Sequence, residues 1–280
     1  QKPSTNIDWA QKPSTNTSQQ PKPRSSSIDK NGGVTMLKLE HISYGVPDRP
    51  DILVDVNLEI DEPFVAITGP NGSGKSTLMK VICGIIKPNS GRIYFNGQDI
   101  TDWSITDRAN LGISYAFQKP VAFKGLKVID LLTLASGKGT SLSEACDYLS
   151  EVGLCARDYI DRELNDSLSG GEMKRIEIAM MLARSTALSL FDEPEAGIDL
   201  WSFQSLIQVF EKMNEKNHGK ILIISHQERI LNIADRIIMM QDGKSRARWQ
   251  ARRRHAIHHR QRLHQDHGQA RQVKEDHNNG

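Results

Sequence analysis

The clearest signal in the chain is the nine-residue stretch Gly69-Pro70-Asn71-Gly72-Ser73-Gly74-Lys75-Ser76-Thr77. It matches G-x-x-x-x-G-K-[ST] and lies between an apolar run, Phe64–Thr68, and a helical pattern over Ser76–Ile86. Its glycines allow the backbone to curl so that several N–H groups point at phosphate oxygens, and the positive end of the following helix adds to that attraction. Lys75 is suited to contact the β- and γ-phosphates, and the Ser76 hydroxyl is suited to bind Mg²⁺. The stretch predicts a binding site for a nucleoside triphosphate.

Strand and helix patterns alternate around this stretch. Leu188–Phe191 and Ile221–Ser225 are continuous apolar runs, as buried parallel strands are. Residues from about 120 to 168 have helical patterns, notably Val128–Ala135 and Ser143–Val152. Because strands that are separated by helices form parallel sheets, we predict an α/β fold with a mainly parallel core sheet. The other predicted strands are Leu37–His41, Leu53–Ile60, Gly91–Phe95, Ile113–Phe117 and, as the last one, Ile237–Gln241.

The composition is that of a globular protein with unusual ends. Of the 280 residues 38% are hydrophobic, and no run approaches the ~20 apolar residues of a membrane span. The three cysteines are scattered without metal-ligand spacing, which favours a reducing compartment, the cytoplasm. Residues 1–35 contain Gln-Lys-Pro-Ser-Thr-Asn twice and predict a disordered leader. Residues 245–280, with nine basic and three acidic residues, predict a disordered basic tail.

A pair of acids follows the run Leu188–Phe191. Asp192 and Glu193 are placed at the carboxyl end of a predicted strand, where α/β folds bind ligands. Asp192 is suited to hold Mg²⁺ through water, and Glu193 is suited to act as the general base that activates the attacking water. Together with the glycine-rich stretch, this pair predicts a nucleotide hydrolase.

The segment Leu168-Ser169-Gly170-Gly171-Glu172, about 20 residues before Asp192, resembles the LSGGQ signature of ATP-binding cassette (ABC) ATPases. The resemblance covers residues 36–244. It implies a P-loop NTPase of the ABC type, with a RecA-like core, an antiparallel β subdomain and a helical signature subdomain at about 120–168. It also implies a head-to-tail homodimer that holds two ATP molecules between its subunits. Ser169 and Gly171 would contact the γ-phosphate that is bound by the other subunit.

The resemblance assigns roles to further residues. Gln118 matches the Q-loop glutamine that binds Mg²⁺ and senses the partner, and His226 matches the switch histidine that contacts the γ-phosphate. Tyr44 matches the aromatic residue that stacks on adenine, and Asp199 matches the D-loop aspartate. The implied catalytic residues are Lys75, Glu193 and His226, and the implied Mg²⁺ ligands are Ser76, Gln118 and Asp192. The implied nucleotide contacts are Tyr44, Gly69, Pro70, Asn71, Gly72, Ser73, Gly74, Lys75, Ser76, Thr77, Gln118, Ser169, Gly171 and Asp199.

Within the family, four segments resemble the Suf-type iron–sulfur cluster assembly ATPases. They are Phe117-Gln118-Lys119-Pro120-Val121 with Gly125-Leu126 shortly after it, Gly170-Gly171-Glu172-Met173-Lys174-Arg175 followed by Glu177-Ile178, Gly197 before Ile198-Asp199, and Ser225-His226-Gln227-Glu228-Arg229-Ile230-Leu231. They imply that ATP hydrolysis drives a soluble Suf-type scaffold protein.

Two alternatives to the Suf-type hypothesis remain open. The first is the nucleotide-binding subunit of an ABC transporter, which works with a separate membrane permease. The second is a non-hydrolysing scaffold or DNA-associated protein that uses the basic tail, against which the intact Lys75, Asp192, Glu193 and His226 count. We therefore expect no nucleic-acid partner.

Overall fold

A computed structural model of the chain describes residues 36–250, except residues 166, 199 and 217–218. The predicted leader, residues 251–280 of the predicted tail, and Asp199 lie outside the described residues. The strands are β1 (Leu37–Val46), β2 (Arg49–Ile60), β3 (Phe64–Thr68), β4 (Ser90–Phe95), β5 (Gln98–Asp99), β6 (Ile113–Ala116), β7 (Phe123–Lys127), β8 (Glu163–Leu164), β9 (Leu188–Asp192), β10 (Lys220–Ile224), β11 (Arg236–Gln241) and β12 (Lys244–Gln250). The helices are α1 (Lys75–Cys83), α2 (Ile105–Asn110), α3 (Val128–Ser136), α4 (Leu142–Glu151), α5 (Ala156–Tyr159), α6 (Gly170–Arg184), α7 (Leu200–Lys216) and α8 (Glu228–Ile233).

The core is a six-stranded sheet with the order β12-β11-β3-β10-β9-β6. Its strands are parallel except for β12, which pairs antiparallel with β11 at one edge. Phe64 and Ala66 of β3 belong to the hydrophobic core on one face of the sheet, and Val65 and Ile67 belong to the core on the other face. A strand that is buried on both faces requires a continuous apolar run, which is the pattern of β3, β9 and β10. The predicted mainly parallel core sheet is therefore confirmed.

A second sheet, with the order β2-β1-β4-β5, is antiparallel. Its long pair β1 and β2 contains the predicted strands Leu37–His41 and Leu53–Ile60 and extends both of them toward the connecting turn. The inward-facing residues Leu37, Leu39 and Val56 are fully or almost fully buried against α1 and the core sheet. This sheet is the antiparallel β subdomain that the family resemblance implies.

Helix α1 ends earlier than its sequence pattern predicts. The predicted helix runs to Ile86, but the observed one ends at Cys83 because Gly84 has left-handed backbone angles, with φ of 86°. The N–H group of Gly84 donates to the carbonyl oxygen of Val81, and glycine adopts this left-handed, helix-ending conformation without steric cost. The apolar residues Ile85 and Ile86 that suggested a longer helix lie beyond this cap.

The segment 120–168 is not helical throughout. It contains the predicted helices as α3 and α4, but β7 and β8 form a small antiparallel sheet within it. Phe123 pairs with Leu164, a partner far along the chain that helical periodicity could not reveal. The helical subdomain thus has a two-stranded addition, which the sequence patterns missed.

The predicted tail begins too early. Ile237–Gln241 is not the last strand, because a tight turn at Asp242-Gly243 reverses the chain and β12 then pairs with β11. Two-residue turns of this type match the twist of antiparallel strands and therefore support a hairpin. Residues 245–250 of the predicted tail therefore belong to strand β12. Among the described residues, none of the helices combines the length and apolar character that crossing a membrane requires.

Candidate functional site

The glycine-rich stretch forms the loop between β3 and α1. Gly74 is the N-cap of α1 and has φ of 95°, and a Cβ atom there would lie 2.5 Å from the carbonyl oxygen of Ile52. No side chain caps this end of α1, and its first turn holds no acidic residue. The N–H groups at the start of α1 are therefore well placed to bind an anion.

Lys75 folds back onto the same loop. Its Nζ donates to the carbonyl oxygens of Gly69 and Pro70, at 2.7 and 2.9 Å, and the side chain is buried. Burial lowers the pKa of Lys75, while the nearby Glu193 and Asp192 act in the opposite direction. This arrangement holds the ammonium group of Lys75 among loop carbonyl oxygens. A charged phosphate is a stronger acceptor and could replace those carbonyl oxygens.

Asp192 is held by hydrogen bonds to both of its carboxylate oxygens. Ser76 Oγ donates to Asp192 Oδ1 at 3.0 Å, and the Tyr115 hydroxyl donates to Asp192 Oδ2 at 2.9 Å. Asp192 is only 2% exposed. Burial, and then the charge of Asp192, raises the pKa of Tyr115, which keeps its hydroxyl protonated as a donor. Tyr115 was missed by the sequence analysis, because no motif marks this position within the predicted strand Ile113–Phe117.

The donor set fits Mg²⁺. The Ser76 hydroxyl and the Asp192 carboxylate converge, and Mg²⁺ typically binds one or two carboxylates together with substrate phosphates. Within the described part of the chain, no three histidine, cysteine or acidic side chains cluster to hold a metal by themselves. The site is thus suited to a metal that arrives with a nucleotide.

Glu193 lies close to two other residues with predicted roles, the predicted Mg²⁺ ligand Gln118 and the predicted catalytic residue His226. Gln118 Nε2 donates to Glu193 Oε2 at 2.7 Å, and His226 Nε2 lies 3.7 Å from Glu193 Oε1. Glu193 has a positive φ of 47°, an uncommon conformation for a residue with a side chain, and its N–H group donates to the carbonyl oxygen of Ile224. The tertiary structure thus joins the ends of β6, β9 and β10. The predicted role of Gln118 as a metal ligand stays a prediction, because its amide here binds Glu193.

A buried carboxyl group next to this cluster was not anticipated. Ser225 Oγ, from the residue before His226, donates to Glu195 Oε1 at 2.5 Å. Burial raises the pKa of Glu195. The sequence analysis assigned no role to Glu195. The contact ties the loop after β9 to the loop after β10.

A second unanticipated contact fixes the backbone that precedes Gln118. The buried Lys174 of α6 donates to the carbonyl oxygen of Phe117, and Glu177 Oε1 accepts a hydrogen bond of 2.9 Å from the N–H group of Phe117. Lys174 and Glu177 also form an ion pair at 3.0 Å. The signature helix is in this way joined to the segment that carries Gln118.

The signature residues Ser169 and Gly171 lie at the start of α6. Ser169 caps α6 in a capping box with Glu172: each residue binds the backbone N–H group of the other. Tyr159 also donates to Glu172, and these hydrogen bonds lower the pKa of Glu172 to about 2. A Cβ atom on Gly171 would lie 3.2 Å from the carbonyl oxygen of Gly197, which shows how closely α6 approaches the segment before Asp199.

The remaining predicted nucleotide contacts lie in the loop itself, in α1 and in β1. Tyr44 pairs with Leu53, whose side chain contacts the Gly74 position, and Tyr44 packs partly buried against the core. Thr77 lies in the first turn of α1.

A cavity of about 630 Å³ is lined by four residues of the loop, Pro70, Asn71, Gly72 and Ser73, and is also bordered by Arg49 and Lys244. Arg49 Nη2 donates to the carbonyl oxygen of Gly72 at 2.7 Å.

An apolar groove of about 430 Å³ lies beside Gln118, between α1, α2, α3 and α6. Its exposed side chains include Phe117, at 37% exposure, and Leu134, at 68%. Such a contiguous apolar surface is typical of a binding site for another chain. Further exposed apolar residues of the groove are Ile85, Ile105, Val121 and Phe123.

Comparisons with known proteins agree with this geometry. A family model described as ABC transporter matches residues 53–196. An uncharacterized ABC transporter ATP-binding protein of Methanocaldococcus jannaschii is 39% identical over 220 residues, which cover 75% of this chain and 87% of that protein. The energy-coupling factor transporter ATP-binding protein EcfA2 of Caldanaerobacter subterraneus subsp. tengcongensis is 34% identical, over 74% of this chain and 77% of that protein.

Solved structures give the same result. A dimeric ATP-binding cassette in a post-hydrolysis state, bound to ADP and Pi, is similar with a TM-score of 0.70 and 26% identity. The similarity covers 78% of this chain and 100% of that one. The glycine-rich loop, the paired acids and the capped signature helix all lie within residues 53–196, which the family model matches. The chain therefore belongs to the ABC transporter family of ATP-binding cassettes, which bind and hydrolyse ATP.

Proposed function

We propose that the chain is the nucleotide-binding subunit of an ABC transporter and works in the cytoplasm as a head-to-tail dimer. The start of α1 and Lys75 bind the phosphates of ATP, while Tyr44 contacts the adenine. Ser76 and Asp192 hold Mg²⁺, which when bound offsets charge on the phosphate oxygens. Their convergence within 3.0 Å supports this assignment.

Glu193 is the general base in this proposal. A carboxylate in this position takes a proton from the attacking water, and His226 at 3.7 Å is close enough to orient it. Gln118 holds Glu193 by the 2.7 Å hydrogen bond and releases it when a nucleotide and a partner arrive. Ser169 and Gly171 act on the nucleotide of the other subunit, and Asp199 joins the same interface.

The observation that carries the coupling to a permease is the position of the apolar groove. Phe117 lines the groove, and the next residue, Gln118, binds the catalytic Glu193. A partner segment that presses on Phe117 therefore acts one residue away from Gln118 and its hydrogen bond to Glu193. The occupant we propose is an apolar helix of a separate membrane permease. The names of the relatives support it, since they describe transporter ATP-binding proteins.

Iron–sulfur cluster assembly is the second candidate. The residues that carry the Suf-type resemblance include Phe117, Lys174 and Glu177, and these three form one contact network. None of the relatives named above is described as an iron–sulfur assembly protein. We therefore prefer the transporter subunit to the iron–sulfur assembly ATPase, whereas the sequence motifs alone favoured the assembly ATPase.

The test is a capture experiment with Glu193→Gln in the presence of ATP and Mg²⁺. Removing the general base should lower hydrolysis by about 10²- to 10⁴-fold while ATP still binds, so a closed dimer accumulates together with its partner. Mass spectrometry then identifies the retained protein. A polytopic membrane protein supports the transporter subunit, and a soluble iron–sulfur scaffold overturns it in favour of the second candidate.

Two surface variants provide a matched control. Leu134→Glu places a charge in the groove, and Leu142→Glu places the same charge on an equally exposed leucine outside it. We expect Leu134→Glu to abolish capture of the partner and Leu142→Glu to leave it unchanged. Equal capture by both variants would contradict the groove as the docking site. Unchanged hydrolysis by Glu193→Gln would contradict the assignment of the base.

A further inference from the structure

Tyr115 connects the groove to the carboxylate that is assigned to the metal. Its hydroxyl donates to Asp192 Oδ2 at 2.9 Å, on the opposite carboxylate oxygen from the one that Ser76 binds. Its ring contacts Phe117 edge to face, with ring centroids 4.7 Å apart and an interplanar angle of 84°. Tyr115 also lines the groove itself. One side chain thus reaches from the proposed docking surface to the proposed metal ligand.

A buried tyrosine hydroxyl needs an acceptor in any protein, so the hydrogen bond alone would be unremarkable. What distinguishes this one is its acceptor. Asp192 is almost fully buried, and both of its oxygens are engaged, one by Ser76 and one by Tyr115. Loss of the Tyr115 hydrogen bond would leave the carboxylate held only through the oxygen that binds Ser76. Partners of this kind fix the orientation of a metal-binding carboxylate.

We propose that Tyr115 is a positioning residue that orients Asp192 for Mg²⁺ and links that carboxylate to Phe117 in the groove. The proposal rests on the proposed function, because it takes the metal site and the docking surface from there. A partner that moves the Phe117 ring moves the Tyr115 ring against which it packs, and the hydroxyl carries this displacement to Asp192. This route is separate from the one through Gln118, which ends at Glu193.

The test compares Tyr115→Phe with Tyr148→Phe. The first variant removes the hydroxyl and keeps the ring that packs on Phe117, while the second removes a hydroxyl from a partly buried tyrosine of α4. Mn²⁺ binding in the presence of ADP is measured by electron paramagnetic resonance, and ADP binding in EDTA is measured by calorimetry. We expect Tyr115→Phe to weaken Mn²⁺ binding about 10- to 100-fold with unchanged ADP binding in EDTA. Tyr148→Phe should match the wild type in both.

Phe117→Ala tests the link to the groove. Phe117 is partly exposed, so its truncation does not threaten the core, and the Tyr115 hydroxyl is retained. We expect Mn²⁺ binding to weaken in the same direction by a smaller factor, about two- to tenfold. This variant also keeps the proposal testable if Tyr115→Phe does not fold.

The outcomes separate this inference from the proposed function. Mn²⁺ affinity of Tyr115→Phe within twofold of the wild type would overturn the role of the hydroxyl. Unchanged Mn²⁺ affinity of Phe117→Ala would overturn the link to the groove. If the wild type itself bound neither ADP nor Mn²⁺, the proposed function would fail instead.

Discussion

Helices α1 and α6 both begin at glycine-rich motifs, but their first turns are built differently. Helix α1 starts at Gly74, with neither a capping side chain nor an acidic residue in its first turn. Helix α6 starts at Ser169, and Glu172 completes a capping box that satisfies two of its backbone N–H groups. A negative charge thus already occupies the start of α6, whereas the start of α1 is prepared for one that a ligand brings.

This difference indicates that the two motifs have different roles in nucleotide binding. The N–H groups at the start of α1 are not bound by a capping side chain and are available to a phosphate. This suits a site that binds the nucleotide firmly within one chain. Two N–H groups at the start of α6 are bound by its own side chains, so this motif has less to offer to an anion by itself. This supports a role for Ser169 and Gly171 as additional contacts to a nucleotide that another subunit already holds.

The largest effect that would test this comparison comes from adding one methyl group to each motif. Gly74→Ala forces alanine into a left-handed conformation and brings its Cβ within 2.5 Å of a backbone oxygen. We expect ATP affinity to fall about 10- to 100-fold, measured with a fluorescent nucleotide. Gly170→Ala is the control, because no atom lies within 4 Å of its Cβ position. An equal loss of ATP affinity in both variants would contradict the conclusion that the start of α1, and not the start of α6, binds the nucleotide within the chain.

A smaller effect is expected from removing the cap of α6. Ser169→Ala should lower the free energy of unfolding by about 1 kcal/mol, measured by urea denaturation. Ser141→Ala is matched to it, because Ser141 and Glu144 form the same capping box at the start of α4. Both variants should lose similar stability, but only Ser169→Ala should also lower the rate of ATP hydrolysis, by about tenfold. Equal hydrolysis by the two variants would restrict Ser169 to a structural role.

The smallest expected effect is a pH dependence of the folding stability. It arises from Glu172 in the first turn of α6, whereas the first turn of α1 has no acidic residue. Hydrogen bonds from Tyr159 and Ser169 lower the pKa of Glu172 from 4.5 to about 2. A lowered carboxyl pKa contributes stability that is complete above about pH 4.5 and is lost as the pH falls toward 2. Tyr159→Phe removes the largest cause, so its stability deficit should be greatest above pH 4.5 and should shrink below it. A deficit that stays constant with pH, in urea denaturation series, would show that Glu172 is not responsible.

The strands of the core were predicted well because their signal is local. Phe64–Thr68 coincides with β3. The predicted strand at Leu188 ends one residue before β9 does, and the predicted strand at Ile221 is shifted by one residue from β10. The errors occurred where a segment forms a strand only by pairing with another one, whether that partner is distant along the chain or directly adjacent to it. Strand β7 needs β8, and β12 needs β11. The premature end of α1 at Gly84 is different, since a glycine inside an apolar helical pattern can either be tolerated or end the helix.

For the candidate site, the sequence identified residue types and the structure supplied their partners. Glu193, Gln118 and His226 were predicted individually, and their hydrogen bond and close approach follow from the parallel order of β6, β9 and β10. Tyr115 carried no motif of its own. Glu195 also had no assigned role, and its contact with Ser225 joins two loops that are separated along the chain.

The sequence by itself determined the family, the phosphate loop, the paired acids and the signature helix, because glycine conformation, apolar periodicity and helix capping act over a few residues. Only the tertiary structure decided that Tyr115 and Ser76 bind opposite oxygens of Asp192, that Gln118 binds Glu193, and that an apolar groove lies beside them. These contacts join residues about 75 or more positions apart. They exist because parallel strands bring distant carboxyl ends to one edge of the sheet, which no local pattern encodes.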